Sequence, residues 1–150
     1  MHLTGILRTI PLYFDYYLSA VDEYSLQAPF VFNLYWSIVR SVKNPQPDAL
    51  LEGHRKHLFA SSEPIESQDA GAGTKAFDIN PGNTVGYRAH REISSLPRCM
   101  VYAELVRFFR SRICIELGTS FGIATSYMAK NATDGTLYTF EATDIKCRMA

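Results

Sequence analysis

Two acidic side chains and a glycine-bearing turn are the groups in this chain whose types and spacing could do chemistry. Glu116-Leu-Gly-Thr-Ser-Phe-Gly122 follows the apolar run Ile113-Cys-Ile115. Glu141 stands 25 positions after Glu116, at the end of a second apolar run, Thr136-Leu-Tyr-Thr-Phe140. A glycine at the carboxyl end of a strand lets a ligand approach backbone N–H groups with no Cβ in the way. A helix starting just after such a turn adds unpaired N–H groups and the positive end of its dipole, which suit an anionic group, here a carboxylate. An acidic residue about 20 positions past the turn, at the tip of the next strand, can accept two hydroxyl hydrogen bonds from a ribose. Together the three features describe a nucleoside-type cofactor lying across two strand ends.

The elements that must position these groups follow from hydrophobic patterning. Ile113, Cys114 and Ile115 suit a strand buried on both faces. Ile123, Tyr127 and Met128 recur at helical spacing, with Ala124 and Ala129 small enough for close packing. Strand, turn, helix and second strand make the first half of a nucleotide-binding βαβ unit. The dinucleotide fingerprint asks for Gly-x-Gly-x-x-Gly, and Ser120 occupies the place of its second glycine. A NAD-dependent oxidoreductase is therefore the disfavoured alternative.

The pattern Glu-x-Gly-x-x-x-Gly, from Glu116 to Gly122, resembles motif I of the class I S-adenosylmethionine-dependent methyltransferases. The wording Ile115-Glu-Leu-Gly-Thr-Ser-Phe-Gly-Ile-Ala-Thr125 is similar, more narrowly, to a bacterial branch related to the catechol-type O-methyltransferases. The resemblance extends upstream to Ala28-Pro-Phe-Val-Phe-Asn33, Asp69-Ala-Gly-Ala-Gly-Thr74 and Tyr102-Ala-Glu-Leu-Val106. It implies S-adenosylmethionine as cofactor, with Glu116, Gly118, Thr119, Ser120 and Gly122 around its methionine part and Glu141 on its ribose. It also implies a small-molecule hydroxyl as methyl acceptor. No catalytic residue and no metal ligand can be assigned. In catechol-type relatives a divalent metal is held by carboxylates after later strands, so metal dependence stays open. Ala142 follows Glu141 where the branch more often has glycine, which points to a different arrangement on the adenine side.

Ahead of this region the sequence is helical. Residues 3–24 predict an amphipathic helix with a kink at Pro11, which lacks the donor a helix interior needs. Residues 30–42 predict an aromatic-rich helix packed under the main domain, and 48–60 a third with Pro47 at its first position. His54 and His57 lie three apart on that third helix. Without further ligands they, with Arg55, Lys56 and Arg88, are expected to form a solvated basic face rather than a metal pair. Residues 85–95 and 97–110 predict two helices, or one broken at Pro97, with Tyr102, Leu105, Val106 and Phe109 set against the sheet. A last helix begins at Asp144. Between the third and fourth helices, Ser61 to Thr84 is a glycine- and proline-rich loop. Its Asp69–Thr74 stretch lacks the strand and helix a phosphate turn needs, and a lid or substrate-side loop is the functional reading.

Composition bounds the rest. Of 150 residues, 47% are hydrophobic and 20% charged, ordinary for a globular chain. Fifteen basic against fifteen acidic residues leave no electrostatic footprint for nucleic acid. Cys99, Cys114 and Cys147 are odd in number and far apart, with no CxxC, which suggests a reducing, cytoplasmic setting and neither a disulfide framework nor a zinc site. The longest apolar-leaning run near the amino terminus, Thr9 to Phe14, is too short to span a membrane.

The expected fold is α/β: a helical amino-terminal region (1–60), the glycine-rich loop (61–84), then the start of a doubly wound, Rossmann-like parallel sheet (85–150). Such a sheet needs about six or seven strands and roughly 200 residues or more, whereas two strands are visible here. Two strands alone leave edges and apolar faces uncovered, so the chain reads as the front part of a longer protein, completed by a carboxyl-terminal part or by a second copy in a homodimer. A non-catalytic fragment or interaction module is the alternative to an enzyme.

Overall fold

In the computed structural model of the chain, residues 3–20, 22–65 and 84–150 are described, with the backbone alone described for residues 3–9 and 23. They form a mixed helix and strand structure, mostly helical, with one two-stranded parallel sheet. The chain divides into two compact units, Met1–Trp36 and Ser37–Ala150.

The first unit holds α1 (Leu3–Ser19), with Pro11 inside it, a single 3-10 turn (Glu23–Ser25) and the start of α2 (Pro29–Lys43). α1 stops short of the expected residue 24. Asp22 accepts hydrogen bonds from the backbone N–H of Ser25 at 3.0 Å and from its hydroxyl at 2.8 Å. A side chain that bonds its own backbone in this way competes with a helix. Val21, expected on the helix face, lies outside the described residues. Described side chains of residues 10–20 are exposed on every face. In α2 the Trp36 ring meets Phe32 and Tyr35 edge-on, at 6.2 and 5.8 Å.

The second unit is built on α3 (Ala49–Ala60), α4 (Val85–Glu92), α5 (Leu96–Phe109) and α6 (Ile123–Asn131). Asp48 caps α3 by accepting from the N–H groups of Leu50 and Leu51, both at 3.0 Å. Pro47 therefore precedes the cap instead of opening the helix. The segment expected as one or two helices over 85–110 is broken by Ile93–Ser95, and Pro97 sits in the first turn of α5, where its missing N–H costs nothing. Leu58, Val85, Cys99, Met100, Phe121 and Tyr127 are at the centre of the core these helices share; the Leu, Val, Met and Phe side chains are each worth about 1.5–3 kcal/mol on full burial. Phe109, expected against the sheet, is 51% exposed.

Two arginines expected in a solvated basic face are instead buried. Arg55 pairs with Glu52 at 3.0 Å and donates to the Ser94 carbonyl at 2.5 Å, so burial is matched by partners. Arg88 pairs with Glu92 at 3.5 Å, and Glu92 also holds Lys146 at 2.8 Å. His54 and His57 are exposed. The three cysteines are free, with Cys99 buried and its thiol pushed up by burial.

β1 (Ile113–Leu117) and β2 (Thr136–Phe140) run parallel, Ile113 beside Thr136 and Leu117 beside Phe140, with α6 as the crossover. α7 (Asp144–Met149) follows β2. β1 is not buried on both faces: Ile113 and Ile115 are each 68% exposed and Leu117 83%, while Cys114 and Glu116 are half-buried. The apolar run Ile-Cys-Ile is right for such burial, but among the described residues no layer covers the second face. The ends of the glycine-rich loop are tied by an antiparallel bridge between Pro64 and Thr84. The Asp69–Thr74 stretch and the lid reading fall on residues outside those described.

Candidate functional site

Three residues with positive φ shape the turn between β1 and α6: Gly118 at 96°, Ser120 at 52° and Gly122 at 74°. Left-handed backbone is costly for a residue with a Cβ, and at Ser120 the cost is offset by a fixed contact. The Ser120 N–H donates to Glu141 Oε2 at 2.8 Å. The N–H groups of Gly118 and Thr119 both point to the Phe140 carbonyl, at 2.8 and 3.3 Å, which carries the strand pairing one step into the turn. At Gly118 nothing lies within 4 Å of where a Cβ would stand, so the backbone there is open to approach. Gly122 is the opposite case. A Cβ there would meet Ala150 at 3.0 Å, so the second glycine packs the end of α7 and leaves no room for a ligand atom.

The two carboxylates are both engaged. Glu116 Oε2 accepts from the hydroxyls of Thr125 at 2.5 Å and Thr139 at 2.6 Å. Thr139 spends its proton on Glu116, so the 2.5 Å contact between Thr119 and Thr139 is donated by Thr119. A directed run of hydroxyls thus ends on the Glu116 carboxylate. Glu141 joins the turn to the corner before α7, for its Oε1 accepts from the Thr143 N–H at 3.0 Å. Burial pushes the Glu141 carboxyl up, but the Ser120 and Thr143 amides, aided by the Lys146 charge, hold it below the usual carboxylate range.

A cleft of about 330 Å³ opens at this end of the sheet. Glu116, Gly118, Thr119 and Ser120 line it, joined by Glu92 from α4 and Tyr102 from α5. Ser120 Oγ is buried and, with Trp36 Nε1, is one of two such side-chain atoms among the described residues with no hydrogen-bond partner. A buried hydroxyl without a partner is costly, and a ligand polar group in the cleft would relieve it.

Comparison with protein-family models, curated proteins and solved structures returned no match. What the site can do therefore rests on its own geometry. Of six residues singled out in the sequence, four come together on the cleft wall; Gly122 and Glu141 stand outside its lining. Glu141 also has one acceptor position of each oxygen already taken by a backbone amide, so a ribose would share it with the turn. Sequence reading passed over Thr125, Thr139, Tyr102 and Glu92. Thr139 was within reach, since it falls directly beside Glu116 once the two strands pair in parallel. Thr125 reaches Glu116 from α6, and Glu92 and Tyr102 reach the cleft from helices whose placement no local pattern fixes. Among the described residues no group of three His, Cys, Asp or Glu side chains could hold a metal ion, and no helix is long and apolar enough to cross a membrane.

Proposed function

We propose that this chain carries the cofactor-binding half of a class I, Rossmann-like S-adenosylmethionine-dependent methyltransferase acting on a small-molecule hydroxyl. The observation that carries the reading is the turn after β1: an open glycine, a buried hydroxyl without a partner and a carboxylate, all on one cleft at the carboxyl end of a parallel strand pair. Ligands of open parallel sheets bind at that end. The four residues on the cleft wall suit the group. Gly118 leaves room beside the backbone, Ser120 Oγ offers a donor or acceptor to the methionine amino or carboxylate group, and Glu116 offers a negative charge to its cationic parts. Glu141 would take the ribose hydroxyls with its remaining acceptor positions.

The cofactor, when bound, supplies an already activated methyl group. The chain's own contribution is then orientation and exclusion of water. A hydroxyl acceptor also needs a base or a metal to take its proton, and no residue here is assigned that role. The dinucleotide reading is weakened by Ser120, whose side chain occupies the place where a pyrophosphate would approach a glycine.

The test is calorimetric titration of the 150-residue chain with S-adenosylhomocysteine, with NAD as the control ligand. Binding of the first alone, weakened at least tenfold by Gly118→Val in a chain whose circular dichroism is unchanged, supports the proposal. A folded wild-type chain that binds neither ligand, or binds NAD equally well, removes it. The uncovered apolar face of the sheet favours the second reading, a non-catalytic interaction module, which a folded chain inert to both ligands would support.

A further inference from the structure

The outward face of the two-stranded sheet is an unusually uniform surface. The register sets Ile113 beside Thr136, Ile115 beside Tyr138 and Leu117 beside Phe140. Side chains alternate along a strand, so these six share one face. The five apolar ones are all exposed: Ile113 and Ile115 at 68%, Leu117 at 83%, Tyr138 at 52% and Phe140 at 58%. None of the six carries a charge at neutral pH. Scaled from about 150–250 Å² for a whole aromatic side chain, the patch amounts to roughly 500–800 Å². That reaches or passes the upper end of the about 300–600 Å² found for the largest patch on a typical monomer.

We infer that the chain self-associates through this face, two copies packing β1 and β2 of one against β1 and β2 of the other about a two-fold axis. Area supports a second copy as the occupant. The same patch on both sides removes roughly 1,000–1,600 Å² in total, which meets the about 1,000 Å² expected of a specific interface. Charge supports it too. An uncharged face meets no repulsion from its own copy, and it offers no charge by which to select an acidic or basic partner. A two-fold contact needs a self-complementary surface, and two flat strand faces pack at about 10 Å with interleaved side chains. Ile115 and Leu117 also line the cleft, so the contact borders that site, but the inference does not rest on the cofactor reading.

Sedimentation equilibrium of the full 150-residue chain between about 1 and 100 µM, a range spanning weak to firm dimers, tests it, with hydroxyl-radical footprinting at both ends of the range. The expected result is a monomer–dimer equilibrium in which Tyr138 and Phe140 become protected as the dimer forms. The variants Ile113→Lys and Tyr138→Lys, both at exposed positions outside the cleft lining, should shift the dissociation constant at least tenfold towards monomer with circular dichroism unchanged. A wild-type chain that stays monomeric throughout overturns the inference and leaves the face to a different polypeptide. So does a dimer whose protection falls on Tyr13, Tyr16 and Tyr17 instead, because that would place the contact on α1. Footprinting uses the wild-type chain, so the answer stands even where a lysine variant fails to fold.

Discussion

Glu141, singled out in the sequence as a ribose ligand, serves the scaffold in the structure. Its carboxylate bridges the Ser120 and Thr143 amides, fixing a left-handed serine and the corner before α7 in one contact. Glu141→Gln keeps the shape but turns an N–H2 towards an N–H, and should cost about 1–2 kcal/mol at pH 7. The carboxyl sits below its ordinary value of 4.5 in the fold, so its contribution is complete above that pH and is lost as pH falls through the folded value. Urea titrations of wild type and variant should therefore differ at pH 7 and converge well below pH 4.5; a difference that persists in acid would mean the bridge is not what Glu141 contributes. Thr139→Val removes both the donor to Glu116 and the acceptor of Thr119. It should lower stability by about 1–2 kcal/mol, read by thermal unfolding. The sequence marked Glu116, Gly118 and Ser120 because turn chemistry is local. It could not show that Glu141 faces back into the turn, because that depends on where the chain goes after β2.

Glycines separate the elements that touch from those that do not. Gly86 opens α4 against the end of α3, its N–H donating to the Ser61 carbonyl at 3.0 Å. A Cβ there would stand 2.6 Å from the carbonyl oxygens of Phe59 and Ser61, backbone atoms that cannot swing aside. Gly53, in the middle of α3, has nothing within 4 Å of its Cβ position. Gly86→Ala should thus destabilise by about 1–3 kcal/mol, whereas Gly53→Ala should stabilise by about 0.5–1 kcal/mol through helix propensity alone. Chemical denaturation of the two variants checks the pair, and equal effects would contradict the packing of α4 on α3. Among the described residues the α-helices and the two strands were legible as elements, apart from whether 85–110 held two helices or one broken at Pro97, since each has its own period and punctuation. Their ends were less so: Asp22 and Asp48 divert backbone N–H groups to side chains and move helix boundaries by a few residues. Burial was the poorest inference. Arg55 and Arg88 look like surface charges, each with a carboxylate one turn away on its own helix, Glu52 and Glu92; it is tertiary packing, which also brings the Ser94 carbonyl to Arg55, that takes them out of water.

At the scale of the whole chain, cohesion is unevenly distributed. The core and the hydrophobic side chains packed against it run from Leu51 to Met149, and among the described side chains of residues 10–36 none is buried. Helix propensity alone is a weak hold for segments whose described side chains stay outside the core, because most helical stability in proteins comes from packing of an apolar face. Ser37, by contrast, reaches the Glu104 carboxylate, which burial pushes up and the Arg107 guanidinium and Ser37 hydroxyl bring below the usual range. The carboxyl half of α2 is therefore tied to α5. Removing residues 1–28 should leave the unfolding free energy from urea titration within about 0.5 kcal/mol of the full chain, as for changes away from buried contacts, and should leave the slope of the transition nearly unchanged. Extending the deletion through Ser41 should lower stability, because it removes the Glu104 partner and leaves a half-paired buried carboxylate. A marked loss already at residue 28 would mean that the aromatic amino-terminal helices bury surface the structure leaves exposed.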